Sequence, residues 1–184
     1  MKSLLGKTFE EIAFEICSSF DRAGIVAVLL GGGAAAYYAP KAYETRDLDF
    51  VLPFELFGMT DASLVSDLGF SKSKTEGTYE NPDIPFTLEV IQGPLAIGEE
   101  SLTAFSSFRH KDLVLHVLSV TDSVKDRLSH AIHFHDLNSA RQAAEVAKVN
   151  KIDLDSIKKW CEAEDGTKIF EIFEAFLLVE TDDH

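Results

Sequence analysis

Three acids and three glycines carry most of the chemistry this sequence offers. Asp47 and Asp49 alternate with Leu48, Phe50 and Leu52 in "RDLDFVLP", and Glu89 stands alone in the apolar run "FTLEVIQ". Gly31, Gly32 and Gly33 follow the hydrophobic stretch "IVAVLL", and 13 residues separate Gly33 from Asp47. Residues i and i+2 of a strand point to one side, so the two aspartates share a face. They lie roughly 6.5–7 Å apart, near enough to converge on divalent metals spaced about 3.5–4 Å from each other. Two like charges inside a fold raise each other's pKa unless a cation offsets them. Mg²⁺ suits the task, because it takes hard oxygen ligands and leaves positions for water and phosphate.

An isolated Asp-Leu-Asp is usually the wet face of a half-exposed strand. The glycines change that balance. Gly32-Gly33 leaves a hydrophobic strand and enters a helix, where free N–H groups can cradle an anion. Glu89 is hard to place in an apolar strand without a partner. Together these residues predict a nucleotide site, with glycines at the phosphates and carboxylates on metal.

Those residues need a sheet to position them. The chain predicts a first helix from Thr8 to about Ala23, opened by Thr8 and Glu11 as a capping box and striped by Phe9, Ile12, Ala13, Ile16 and Phe20. "IVAVLL" (25–30) reads as a central strand, the triple glycine as a turn, and "AAAYYA" as a short helix ended by Pro40. "RDLDFVLP" is the second strand, followed by a helix near 60–68. "FSKSKTEGTYENPD" reads as an edge strand with a polar loop, 84–92 as a third core strand and 112–119 as a fourth. After Thr121 the periodicity is helical throughout. The expected organisation is α+β: a mixed sheet of four or five strands over residues 1–120, and a helical region over 121–184 packed on it.

Composition narrows the partners. The 184 residues carry 17 basic and 31 acidic side chains, a formal charge of −14 that repels a polyanion, so extended contact with DNA or RNA is not expected. A nucleotide held with metal ions in a cleft remains compatible. Cys17 and Cys161 lack metal-ligand spacing and lie in helical patterns, which predicts buried reduced thiols and a cytoplasmic setting. The start has no apolar core long enough for a signal peptide, and the glycines break the run from Ile25 to Ala39 well short of a membrane span. Disorder is expected only at the ends, such as "ETDDH".

The spacing Gly31-x-Gly33-x-x-Ala36 loosely fits a dinucleotide fingerprint. That fold needs a full helix after the turn and alternating strands and helices beyond it. Pro40 cuts the helix short, and the alternation is missing.

Gly32-Gly33, Asp47-Leu48-Asp49 and Leu88-Glu89-Val90 together resemble the nucleotidyltransferase superfamily of the DNA polymerase beta type. "TRDLDFVL" looks especially like its small prokaryotic members related to abortive-infection (AbiEii-like) toxins. The resemblance covers residues 25–52 and 86–91; Lys125, Arg127 and Asp136 are a looser match to a basic and acidic set on a later helix. It implies transfer of a nucleoside monophosphate from an NTP to a hydroxyl, with release of pyrophosphate. Asp47 and Asp49 would bind two Mg²⁺ or Mn²⁺ ions, and Glu89 would help hold the catalytic metal and orient or deprotonate the acceptor. Gly32, Gly33 and the helix start at Ala34 would hold the β and γ phosphates, with Lys125 adding positive charge. Gly33 replaces a serine common in the family, and Glu89 reaches further than the commoner aspartate.

Alternatives stay open around this core. Arg46 either reaches a phosphate or forms a structural salt bridge, and Lys41 has the same ambiguity. One of Tyr37 and Tyr38 is expected in the core, and the other could meet base or acceptor. His130, His133 and His135 make an incomplete zinc set and belong either to the nucleotide cleft or to a helix surface. The Phe-rich "IFEIFEAFLL" predicts a core helix or a homodimer face. The acceptor can be a small molecule, a protein or an RNA end. A non-catalytic binding module and a toxin-like enzyme acting on tRNA ends are the competing functions, and the second fits the charge poorly.

Overall fold

The computed structural model describes residues 3–40, 45–53 and 61–179; Lys41, the terminal "ETDDH" and most of the segment before the third helix lie outside them. Helix α1 spans Phe9–Arg22 and opens on the expected box: the Thr8 hydroxyl accepts from Glu11 N at 3.3 Å, and the Glu11 carboxylate accepts from Thr8 N at 2.9 Å. Such caps satisfy N–H groups that have no partner within the helix. Strand β1 (Val28–Leu30) leads directly into α2 (Gly31–Tyr38). The triple glycine is therefore the first turn of that helix, not a turn ahead of it. Strand β2 follows at Asp47–Leu52 and α3 at Asp61–Ser66.

Strands β3 (Ser71–Lys72), β4 (Thr78–Glu80) and β5 (Thr87–Gln92) come next, then a small hairpin of β6 (Ala96–Ile97) and β7 (Glu100–Ser101). Strands β8 (Ser106–His110) and β9 (Leu113–Val117) complete the main sheet. The rest is helical: α4 (Val120–Phe134), α5 (Leu137–Val149), α6 (Leu154–Ala163) and α7 (Thr167–Leu178).

The fold is mixed α+β, as expected. Its main sheet has seven strands in the order β3-β4-β5-β2-β1-β9-β8, wider than the four or five anticipated. The added strands are short or polar edge pieces; "SSFRH" of β8 has no apolar alternation to announce it. β2 runs antiparallel to β1 and parallel to β5, while β1 runs parallel to β9.

Each face of the sheet buries its own core. On one side Leu48, Phe50 and Leu88 pack with Ile12, Ile16 and Phe20 of α1 and Val65 of α3. On the other, Val28 and Val51 pack with Leu128 of α4, Ala143 of α5, Ile157 of α6 and Phe173 of α7. Strand alternation assigns the chemistry: Leu48 and Phe50 go to the first core, so Asp47 and Asp49 share the side of Val51, toward the helical layer.

Candidate active site

The three acids sit on adjacent central strands. In the parallel β2–β5 pair Asp49 lies directly beside Glu89, and Asp47 beside Thr87. Side chains at paired positions point the same way across a strand spacing of about 4.8 Å. Asp47 and Glu89 are exposed, whereas Asp49 is mostly covered. Burial, then the charges of Glu89 and Asp47, push the Asp49 carboxyl up to about 7, against a smaller downward pull from Arg127. The carboxylates thus share a face and repel one another. Among the described residues no three His, Cys, Asp or Glu side chains are arranged to hold a metal ion, so the acids do not form a closed ligand set.

The cover over Asp49 is the start of α2. Leu30 pairs with Asp49 across the β1–β2 ladder, and Gly31 turns the chain into the helix at φ +67°. A Cβ on Gly31 would stand 2.5 Å from Asp49 Oδ2, so only glycine admits both that backbone and the carboxylate. Gly33 is also tight: its Cβ would meet Leu29 Cδ1 at 2.9 Å. No side chain caps the N-terminus of α2. Its first amides therefore have no capping partner, and the helix dipole adds positive potential beside the carboxylates. Gly32, Gly33 and Ala34 are buried in this first turn, so they can offer backbone groups only.

Helix α4 supplies the cation. The position of a Gly31 Cβ lies 3.7 Å from the Arg127 guanidinium, which also binds Asp126 through Nε at 3.0 Å and Nη2 at 2.8 Å. Lys125 is buried, with 5% of its surface exposed, but its ammonium pairs with Glu100 at 2.9 Å and lies 3.9 Å from Asp122. Two residues along a helix is about 200° of rotation, so Lys125 and Arg127 serve opposite sides of α4. Lys125 lines a cavity of about 780 Å³ with Glu99, Asp153, Lys159 and Trp160.

Arg46 stands one residue ahead of β2 and lines a cavity of about 550 Å³ with Phe9, Ala36 and Phe86. Tyr37 and Tyr38 cluster with Phe108, and the Tyr38 hydroxyl donates to Leu118 O at 2.7 Å. The histidines separate: His133 meets Glu164 at 3.2 Å, His130 lies 3.6 Å from Asp136, and His135 ends α4 in the left-handed region. Asp136 caps α5 by accepting from Asn138 N, and the Ser139 hydroxyl, followed by that backbone bond, is chief among the groups holding its carboxyl below the usual range.

The sequence matches no protein-family model and no curated protein. Among solved structures, the crystal structure of ANT(2")-Ia in complex with adenylyl-2"-tobramycin is similar at 14% identity and a TM-score of 0.48, covering 90% of this chain and 95% of that one. The solution structure of the antibiotic-resistance factor ANT(2")-Ia gives 14% identity and 0.48, over 92% of each chain. A candidate nucleotidyltransferase from H. pylori gives 13% and 0.41, over 92% of this chain and 93% of its own. Superpositions this loose leave the chain's own residues as the basis for a functional reading.

Proposed function

We propose that this chain is a nucleotidyltransferase that moves a nucleoside monophosphate from an NTP to a hydroxyl. The observation that carries the reading is Asp49: it is wedged against Gly31 at an uncapped helix start and stands abreast of Glu89. A buried carboxylate with two acidic neighbours is costly unless a cation shares the site. The donor set, all carboxylate oxygen, fits Mg²⁺ or Mn²⁺. Asp47, Asp49 and Glu89 would hold the metal, which when bound supplies charge to offset the phosphates.

The remaining chemistry belongs to the chain. The first amides of α2, from Gly31 to Ala34, and the Arg127 guanidinium hold the triphosphate. Glu89, exposed beside Asp49, orients the acceptor hydroxyl and takes its proton. The acceptor oxygen bonds to the α phosphorus as the bond to the α–β bridging oxygen breaks, and pyrophosphate leaves. Catalysis of this kind is mainly positioning and charge neutralisation. The finer kinship with abortive-infection enzymes rests on "TRDLDFVL", since Lys125 is taken up by Glu100.

The test is transfer of label from α-labelled NTPs, with Mg²⁺ or Mn²⁺, to a panel of amino sugars, other small hydroxyl compounds, proteins and RNA ends. Wild-type protein is expected to move label, and Asp49→Asn and Glu89→Gln to lose at least a hundredfold. Absence of transfer, together with absence of metal-dependent NTP binding, would overturn the proposal.

A further inference from the structure

Beyond the carboxylates, one face of α4 carries an aromatic pair that no role above absorbs. The His130 and Phe134 rings lie 4.7 Å apart between centroids, tilted by 32°. Phe134 is 72% exposed, among the most exposed large apolar side chains of the described residues. The His130 ring is held at its other edge. Ser139, itself buried, donates its one proton to Asp136 Oδ2 at 2.8 Å, so its contact of 3.1 Å with His130 Nδ1 is one in which the imidazole donates. The histidine is thereby fixed as a backing plate for a phenyl ring whose outer face is open.

The pair is in line with the candidate active site. Phe134 follows Arg127 by seven residues, nearly two whole turns and roughly 10 Å along the same side of α4. His130 lies between them, one turn from each. Asp136, 3.6 Å from His130, also feels the charge of Arg127, which joins the aromatic pair to the guanidinium that reaches Gly31. That side of the helix runs from a largely covered cation to an open aromatic surface, about the length a nucleoside spans from its phosphates.

We infer that the tilted His130–Phe134 ring pair is the platform on which the nucleobase of the bound nucleotide lies. This rests on the nucleotide reading above and adds residues to it. A flat aromatic ring packs on a base through its π face and tolerates any base, since every base has one. Backing by an imidazole anchored to Ser139 and Asp136 keeps the phenyl ring from turning, which lowers the cost of ordering it on binding.

Calorimetry with Mg-ATP and with magnesium tripolyphosphate, which has the phosphates without the nucleoside, separates the base from the rest. Phe134→Ala is expected to weaken ATP about tenfold, within the range base–aromatic stacking supports, and to leave tripolyphosphate affinity unchanged. Phe134→Trp is expected to retain ATP affinity and to show indole quenching with ATP but not with tripolyphosphate. Equal loss for both ligands in Phe134→Ala, or no loss for ATP, would overturn the platform and leave the phosphate and metal site standing. Wild-type protein that binds neither ligand would overturn the nucleotide reading, and the platform with it.

Discussion

At the scale of single residues, Asp49 sets function against stability. Its carboxyl is raised to about 7 by burial first and by Glu89 and Asp47 next. A raised carboxyl binds its proton more tightly in the folded chain. The penalty is therefore absent below about pH 4, where both states are protonated, grows as the unfolded chain ionises, and is complete above about pH 7. Without divalent ions, Asp49→Asn is expected to stabilise the protein at pH 8. The gain is about 4 kcal/mol at most from the size of the shift, and less after relaxation and water entry. Thermal melting should show a rise of several degrees at pH 8 and none at pH 4. Saturating Mg²⁺ is expected to shrink the gain by stabilising the wild type.

At the scale of elements, α4 presents different chemistry on opposite sides. Lys125→Met breaks a buried ion pair whose partner Glu100 remains hydrated, so it is expected to cost about 1–3 kcal/mol. Because Lys125 faces the cavity lined by Asp153 and Trp160 rather than Arg127's side, its loss should leave Mg-ATP affinity within twofold. Melting and calorimetry on the same variant check both halves.

Much of this was legible beforehand. The capping box of α1, the four core strands, the helical region and the shared face of Asp47 and Asp49 follow from local pattern, because burial imposes its period on the sequence. Other features depend on tertiary placement. The glycines read as a turn because glycine disfavours helix interiors, yet the helix starts at Gly31, where the close approach of Asp49 leaves no room for a side chain. Adjacency to Asp47 suggests Arg46 as a phosphate contact, and Lys125 enters only through the family resemblance. Rotation about α4 carries Lys125 to the side away from Arg127, where it meets Glu100, and Arg46 lines a cavity with Phe9 and Phe86. Nothing in the spacing of α4 alone says that Phe134 is open to solvent.

At the scale of the whole molecule, the sheet and the helical region share a core: Val28 and Val51 of the central strands pack with residues of α4 to α7. The division at residue 120 is thus one of composition, and we propose that the two parts unfold together. Scanning calorimetry should give a single transition whose calorimetric and van't Hoff enthalpies agree. Two resolved transitions would mark residues 121–184 as a separately folding unit.

The two cysteines lie on opposite sides of that shared sheet, Cys17 in the first core and Cys161 in the second. Burial pushes each thiol up to about 12, so thiolate is scarce while the chain is folded. Cys17 is further engaged, donating to Ala27 O and accepting from His116 N. A layer of β-structure between them prevents their joining. Both thiols are free, so the folded shape depends on no cross-link that a reducing medium could break.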